Sequence, residues 1–308
     1  MNIFAIIGAT ATGKTALALA LAKRLPIEII SMDSALIYKD MDIGTAKPDA
    51  MEQSICPHHL IDIKTPTQTY SAADFVEDCT KLCDEIQMRG NIPLIVGGTM
   101  MYFRALTFGL NNLPSADENI RKVLQEEKQR YGLNYLYQEL QKHDPITADK
   151  LDCHDSQRIE RALEIFRITG TPMSELLKQE QTSTLHVKAF GLMPDNRKQL
   201  HSTIEQRFNT MIKKGFLDEV RQLQQTYPNL TIDYPSMRCV GYRQAWQHLS
   251  GEIDFDTFIK QGIVATRQLA KRQITWLRSF QIPTFDYSQN SQAVIDDLYM
   301  EILKESSL

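Results

Sequence analysis

Short apolar runs alternate with segments of helical periodicity over the first hundred residues of the chain. The apolar runs cover residues 3–7, 27–30 and 92–96, and helix-forming segments follow at 16–25 and 72–89. Apolar runs of this length between helices are typical of buried strands in a parallel sheet. We therefore predict an α/β core of parallel strands flanked by helices, with ligands at the carboxyl ends of the strands.

The pattern changes after the third apolar run, where charged helical segments replace the strands. The helices predicted from there onwards are 117–131, 133–142, 156–169, 197–214, 217–225, 241–248 and 256–280. Strand-like alternation returns once, at 187–192. We therefore expect a core formed by residues 1–112 and 187–308, and an all-helical insertion domain at 113–186.

A glycine-rich loop joins the first strand to the first helix and fits the pattern G-x-x-x-x-G-K-[ST]. Its residues are Gly8, Ala9, Thr10, Ala11, Thr12, Gly13, Lys14 and Thr15. Backbone N–H groups of such a loop turn inward, the helix N-terminus adds partial positive charge, and Lys14 adds a full one. Thr15 offers a hydroxyl to a divalent cation. The loop predicts a site for a polyphosphate.

The ends of the two other strands narrow the reaction class. Asp33 follows the second strand, where its carboxylate could coordinate magnesium, accept a proton or cap a helix. The third strand ends in Gly97, Gly98 and Thr99, without the aspartate that holds the metal in P-loop ATPases. Group transfer is therefore favoured over hydrolysis. Thr99 either bonds a bridging oxygen of the ligand or caps the turn.

Composition sets broad limits on function. The chain has 308 residues, of which 43% are hydrophobic, and it shows neither an apolar run of membrane-spanning length nor a signal peptide. Five cysteines without disulfide or zinc-finger spacing favour free thiols in a reducing compartment, so we expect a cytoplasmic protein. The net charge of −4 means that any nucleic acid must bind a local basic patch.

Such a patch is predicted between residues 238 and 278. Its basic residues are Arg238, Arg243, Lys260, Arg267, Lys271, Arg272 and Arg278. Helical spacing predicts one outward stripe made of Arg267, Lys271, Ile274 and Arg278. The opposite, apolar face is predicted to hold Leu269, Trp276 and Phe280. With Tyr242 available to stack on a base, the patch favours RNA over a merely solvated face.

Further arginines suit phosphate contacts. Arg158 and Arg161 lie three residues apart in the insertion and share a helix face. Arg207 either clamps a phosphate or forms a surface ion pair with Glu205 or Glu219, and the sequence leaves both possibilities open.

Six blocks resemble the bacterial tRNA dimethylallyltransferase family. They are DSALIY at 33–38, MDIGTAKP at 41–48, YSAADF at 70–75, GGT at 97–99, RCVGYR at 238–243 and KRQITWLR at 271–278. Together with the glycine-rich loop they follow one another over nearly the whole chain. The loop has Ala9 and Thr12 where the family commonly has Pro and Ser. Neither change removes a group that the chemistry needs.

The resemblance implies transfer of a dimethylallyl group from dimethylallyl diphosphate to N6 of adenosine 37, on the 3′ side of the anticodon. The tRNAs concerned read codons that begin with U. The resemblance implies a P-loop NTPase-like core and Mg²⁺ as cofactor, with Thr15 as its ligand. It gives Asp33 the role of general base and Thr99 a hydrogen bond to the bridging oxygen of the diphosphate. The diphosphate itself would be bound by the eight loop residues and Arg207.

The same resemblance implies a tRNA-binding set that includes the insertion domain. The base pocket would be lined by Asp33, Ser34, Ala35 and Leu36. The stem and loop would be held by Arg121, Gln157, Arg158, Ile159, Glu160, Arg161, Arg238, Cys239, Val240, Gly241, Tyr242, Arg243, Lys271, Arg272, Gln273, Ile274, Thr275, Trp276, Leu277 and Arg278. The implied partners are the tRNA anticodon stem-loop and dimethylallyl diphosphate. We expect a monomer that does not bind membranes.

Two alternatives remain open from the sequence. The loop could bind ATP in a small-molecule kinase, or it could be vestigial in a non-catalytic RNA-binding module.

Overall fold

The computed structural model describes residues 3–111, 113–178, 185–286 and 291–306. One sheet contains the strands β1 (Ile3–Gly8), β2 (Ile27–Met32), β3 (His58–His59), β4 (Ile92–Gly97), β5 (Val187–Leu192) and β6 (Thr284–Phe285). The strands pair in parallel in the order β3-β2-β4-β1-β5-β6. The predicted parallel α/β core is therefore confirmed.

The helices of the described residues mostly lie where the periodicity predicts them. They are α1 (Lys14–Ala22), α2 (Ala50–Ile55), α3 (Ala72–Met88), α4 (Met100–Phe108), α5 (Glu118–Tyr131), α6 (Leu133–His143), α7 (Pro145–Ala148), α8 (Ser156–Thr169), α9 (Met173–Leu176), α10 (Arg197–Lys213), α11 (Phe216–Thr226), α12 (Tyr242–Leu249), α13 (Phe255–Ser279) and α14 (Ser291–Ser306). A 3₁₀ turn covers Pro235–Arg238. None of these helices combines the length and the apolar character that crossing a bilayer requires.

Helices cover both faces of the sheet. Phe4 and Ile6 point to one face and pack with α1 and α14, whereas Ala5 and Ile7 point to the other and pack with α3 and α4. Burial on both faces explains why β1, β2 and β4 are buried at every position and read as continuous apolar runs. Helix α14 was not predicted from the sequence, although its core residues Val294, Leu298 and Ile302 recur every four positions.

Helix α3 begins at the predicted capping box. The Ser71 hydroxyl accepts a hydrogen bond from the Asp74 N–H at 3.2 Å, and the Asp74 carboxylate accepts one from the Ser71 N–H at 2.7 Å. These bonds satisfy N–H groups that the first turn of a helix leaves unpaired. The predicted start of α3 is confirmed.

The chain divides into two compact units, Met1–Thr107 with Leu185–Leu308, and Phe108–Thr184. The first unit contains the sheet and a further core around Phe216, Tyr242 and Phe258, formed by α10 to α13. Helices are the only regular secondary structure among the described residues of the second unit. It has a core of its own, in which α5, α6 and α8 pack together. All five cysteines are free thiols.

A buried carboxylate ties together the end of the sheet opposite the strand carboxyl ends. Glu28 of β2 is only 3% exposed. It accepts hydrogen bonds from Arg89 Nε and Nη2 at 2.9 and 2.7 Å and from Asn91 Nδ2 at 2.7 Å, and it pairs with His59 Nε2 at 2.7 Å. The Arg89 hydrogen bonds lower the pKa of Glu28 to about 2, against the opposing effect of burial. The folded protein therefore holds this carboxylate ionised.

We expect Glu28→Ala to cost about 2 kcal/mol of stability, because it removes several charge-assisted hydrogen bonds while Arg89 can still reach water. A group whose pKa is lower in the folded state stabilises the fold above its unfolded pKa. The stability that the variant loses relative to the wild type should therefore be largest at neutral pH and should shrink as the pH falls from 4.5 towards 2. Thermal melting at several pH values in this range measures the stability difference, and Glu77→Ala, at an exposed position, is the control. A deficit that does not change with pH would contradict this interpretation.

Candidate active site

The carboxyl ends of β1, β2 and β4 bring three motifs to the same level of the sheet. Gly97 of β4 pairs with Ile7 of β1 on one side and with Met32 of β2 on the other. The residues that follow these three positions are Gly8, Asp33 and Gly98. The structure thus places the glycine-rich loop, Asp33 and the turn before Thr99 side by side at one edge, where parallel sheets bind ligands.

The glycine-rich loop is closed by its own hydrogen bonds. Thr12 Oγ1 donates to the Ala9 carbonyl at 2.9 Å, and Lys14 Nζ donates to the same carbonyl at 2.6 Å. Gly13 adopts φ +87° at the start of α1, and the Thr15 hydroxyl lies in an exposed first turn. The helix N-terminus and the ammonium group give this loop the charge of an anion receptor.

Two cations and one carboxylate interact electrostatically beside the loop. Burial lowers the pKa of Lys14 to about 8; the Asp33 carboxylate opposes this shift and Arg207 adds to it. Burial also lowers the pKa of Arg207, again against the effect of Asp33. The three side chains together leave an excess of one positive charge, carried by partly dehydrated groups. A multivalent anion is the ligand that such a site attracts.

The two acids that the sequence offered as partners for Arg207 are engaged elsewhere. Glu205 pairs with Arg267 at 2.7 Å. The Glu219 carboxylate accepts the N–H groups of residues 42–44 and the Tyr242 hydroxyl. Within the described part of the chain, Arg207 instead donates to the Thr45 carbonyl at 3.5 Å. Arg207 therefore belongs to the electrostatic environment of the loop.

Asp33 and Thr99 are held by short local hydrogen bonds. Asp33 Oδ1 accepts from the Ala35 N–H at 2.8 Å, which fixes the carboxylate through one of its two oxygens. Thr99 Oγ1 accepts from the Ser34 N–H at 3.0 Å and donates to the Ser34 hydroxyl at 3.3 Å. The ends of β2 and β4 are thus tied to each other, and Asp33 and Thr99 lie at the same edge of the sheet.

The predicted base-pocket segment is held by hydrogen bonds to the loop that contains residues 62 and 64. Ser34 is exposed, while Ala35 and Leu36 are half-buried. The Leu36 and Ile37 carbonyls accept hydrogen bonds from the N–H groups of residues 62 and 64. The segment after Asp33 therefore has a defined conformation in the free protein.

The prediction for α13 is partly wrong. The exposed residues of the predicted tRNA-binding block are Lys271, Arg272, Thr275, Trp276 and Arg278. Arg267, placed in the outward stripe, pairs with Glu205, and Ile274 packs against the cluster under the loop. Trp276, placed on the apolar face, is 37% exposed. The buried face is set by residues 263, 270 and 277, a seven-residue spacing that the basic pattern does not reveal.

The block at 238–243 also needs a correction. Tyr242 is fully buried, with its hydroxyl bonded to Glu219 at 2.6 Å and its ring edge-on to Phe216 at 5.0 Å. It cannot stack on a base from this position. Gly241 is buried as well, and Cys239 and Val240 are half-buried. Arg238 and Arg243 are exposed, as RNA contact requires.

Most of the predicted residues of the helical unit already have partners. Arg121 and Arg161 both bind Glu164, Arg158 binds Asp155, and Glu160 binds Lys128. Ile159 is fully buried in the core of this unit, so its assignment to the tRNA surface is wrong. Gln157 is exposed. Ion pairing of these arginines reduces the charge that this helix face presents to a polyanion.

Two features beside the loop were not predicted from the sequence. Gln273, assigned to the tRNA surface, contacts the loop instead: it accepts from the Thr10 N–H and donates to the Gly98 carbonyl. A cavity of about 180 Å³ adjoins the loop, lined among others by Ala11, Thr12, Leu192, Met193, Pro194 and Thr203. Its position after β5, at another strand end, was the signal that could have revealed it.

Comparison with known sequences identifies the family. A family model described as IPP transferase matches residues 36–280. A tRNA dimethylallyltransferase of Neisseria meningitidis serogroup C is 61% identical over 277 residues, which cover 89% of this chain and 88% of that protein. A tRNA dimethylallyltransferase of Legionella pneumophila is 52% identical over 289 residues, covering 94% of this chain and 92% of that protein.

Solved structures agree with these matches. The full-length tRNA isopentenylpyrophosphate transferase of Bacillus halodurans gives a TM-score of 0.72 at 36% identity, covering 99% of this chain and 98% of that one. A eukaryotic dimethylallyltransferase, described as acting on tRNA, gives a TM-score of 0.80 at 27% identity, covering 97% of this chain and 80% of that one. The resemblance seen in the six blocks is thereby confirmed, and the chain belongs to the IPP transferase family, as an enzyme of the tRNA dimethylallyltransferase type.

Proposed function

We propose that this chain transfers the dimethylallyl group of dimethylallyl diphosphate to N6 of adenosine 37 in tRNAs that read codons beginning with U, releasing diphosphate. The observation that carries the proposal is the group of Lys14, Arg207 and Asp33 beside the glycine-rich loop. It supplies a cationic receptor for a leaving group and, next to it, a carboxylate for the attacking amine. Family membership supports the choice of donor and acceptor.

The loop acts on the leaving group. Displacement at an allylic carbon builds positive charge on the carbon and negative charge on the departing diphosphate. In this proposal the backbone N–H groups of the loop, Lys14 and Arg207 would stabilise the negative charge as it develops. Thr99 would donate to the bridging oxygen, whose charge rises as its bond to carbon breaks.

Asp33 acts on the nucleophile. The exocyclic amine of adenine is a weak nucleophile, and it becomes acidic only as the new C–N bond forms. A carboxylate within hydrogen-bonding distance accepts that proton. The adenine must leave its stack to reach the edge of the sheet, which costs a few kcal/mol and less in an anticodon loop than in a duplex. Ser34, Ala35 and Leu36 follow Asp33 and would line the pocket for the extruded base.

Magnesium fits the donor groups at the loop. Thr15 offers a hydroxyl in the exposed first turn of α1, and β4 is followed by Thr99 rather than by a carboxylate. Mg²⁺ commonly keeps several waters and binds through few protein ligands together with substrate phosphates. When bound, the ion would neutralise charge on the diphosphate.

The tRNA surface is proposed to include the exposed parts of three segments. These are Lys271, Arg272, Thr275, Trp276 and Arg278 on α13, Arg238 and Arg243 beside α12, and Arg121, Gln157 and Arg158, together with the half-buried Arg161, in the helical insertion. Phosphate contacts of this kind orient a nucleic acid without reading its sequence. We further propose that the chain works as a monomer in the cytoplasm, with the anticodon stem-loop as its macromolecular partner.

Mass analysis of the tRNA tests the reaction. Incubation of the protein with Mg²⁺, dimethylallyl diphosphate and tRNA should add one isopentenyl-sized mass to a single adenosine next to the anticodon, with release of diphosphate. ATP in place of the prenyl donor should leave the tRNA unchanged. Formation of ADP with a small acceptor, and no change in tRNA mass, would instead support a kinase.

Asp33→Asn separates base catalysis from tRNA binding. The amide oxygen can still accept the Ala35 N–H, but the side chain can no longer take a proton, so kcat should fall by roughly two to four orders of magnitude. Asp33→Ala should be equally slow. Affinity for tRNA, measured by filter binding, should change little. A parallel loss of turnover and tRNA affinity would contradict the assignment of Asp33 as the base.

Lys271→Ala combined with Arg278→Ala tests the exposed face of α13. Each lost phosphate contact lowers tRNA affinity and releases fewer counterions, so the slope of log affinity against log salt should become shallower by roughly one to two units. Lys304→Ala, an exposed lysine on α14, is the matched control. Unchanged affinity and slope in the double variant would remove α13 from the tRNA surface.

A further inference from the structure

Gln273 joins the glycine-rich loop to the end of β4. Its Oε1 accepts a hydrogen bond from the Thr10 N–H at 2.8 Å, and its Nε2 donates one to the Gly98 carbonyl at 2.9 Å. One partner is a donor and the other an acceptor, so together they also fix the orientation of the amide. A flipped side chain would place the amide NH₂ against the Thr10 N–H and the amide oxygen against the Gly98 carbonyl. One side chain of α13 thus holds two of the three motifs at the site.

The turn at Gly98 is shaped around this amide. A Cβ at position 98 would lie 2.6 Å from Gln273 Nε2 and 2.9 Å from the Gly8 carbonyl oxygen, both closer than real Cβ contacts. Any larger residue would therefore displace Gln273 or the loop. The glycine before Thr99 leaves room for the amide, and the amide in turn fixes where the turn stands relative to the loop.

We propose that Gln273 is a positioning residue for the transfer reaction, a role that rests on the proposed function. It sets the separation between the loop that receives the diphosphate and Thr99, which would bond its bridging oxygen. It also occupies the Thr10 N–H, so that this donor is withheld from the ligand and the remaining N–H groups of the loop define the receptor. Gln273 thereby acts on the donor substrate, not on tRNA.

The rest of α13 does not depend on this amide. Ala270 and Leu277 are each only 1% exposed and anchor the helix about one turn on either side of it. Replacing Gln273 should therefore leave the helix in place and alter the loop. This separates a positioning role from a contribution to folding, because the two roles predict different measurements.

The experiment compares Gln273→Ala and Gln273→Glu with the wild type. Calorimetry with inorganic pyrophosphate and Mg²⁺ should show affinity lowered roughly tenfold in both variants, since two hydrogen bonds that fix the loop are lost or opposed. In kinetics, KM for dimethylallyl diphosphate should rise and kcat should fall, while KM for tRNA stays within about twofold. Melting temperatures should remain close to that of the wild type.

Gln273→Glu adds a pH signature. The ionised carboxylate can still accept the Thr10 N–H, but its second oxygen faces the Gly98 carbonyl and repels it. On protonation that oxygen becomes a donor and restores the bond. Because the ordinary pKa of a glutamate is about 4.3, the affinity for pyrophosphate relative to the wild type should recover as the pH is lowered from about 7 towards 4.5, whereas Gln273→Ala should show no such recovery.

Gln268→Ala and Gln268→Glu are the matched controls, because Gln268 lies exposed on the same helix. Both should behave as the wild type. Wild-type affinity and kinetics in the Gln273 variants would overturn the positioning role, as would losses accompanied by a matching fall in melting temperature. If the wild-type protein itself fails to prenylate tRNA, the proposed function fails; the pyrophosphate titrations still decide whether Gln273 shapes the loop.

Discussion

The parallel register around Gly97 is the constraint on which the site depends. Gly97 pairs with a strand on each side, and a Cβ there would lie 2.0 Å from the Met32 carbonyl oxygen. Glycine permits this close approach, and the approach brings the three strand ends to the same level. The loop, the Thr99 turn and Asp33 then become neighbours although they are far apart in sequence. The positions at which the strands end therefore bring these chemical groups together.

Support for the cationic receptor comes from a second layer outside the sheet. The Glu219 carboxylate accepts hydrogen bonds from the N–H groups of residues 42–44. In the same segment, the Thr45 carbonyl accepts a hydrogen bond from Arg207. Tyr242 contributes its hydroxyl to the same carboxylate from inside the core. The blocks at 41–48 and 238–243 thus meet at Glu219.

The sequence predicted the positions of helices and strands better than it predicted which of their faces are buried. Apolar runs identified β1, β2 and β4, alternation identified β5, and the loop pattern predicted a phosphate site, because strand burial and loop chemistry are local properties. The orientation of α13, the burial of Tyr242 and Ile159, and the contact between Gln273 and Thr10 depend on packing partners elsewhere in the fold. Thr10 and Gln273 are 263 residues apart, so no local periodicity could indicate which side of the helix meets the loop.

The strand order also fits the proposed displacement. In the sequence β2-β4-β1, the turn with Thr99 stands between Asp33 and the glycine-rich loop. Neighbouring strands are about 4.8 Å apart, so the strand ends that carry the carboxylate and the loop are separated by roughly 10 Å. A displacement needs the leaving group and the nucleophile on opposite sides of the reacting carbon. Under the proposed function, the three strand ends would provide that order: a receptor for diphosphate, a hydroxyl for the bridging oxygen, and a base for the incoming amine.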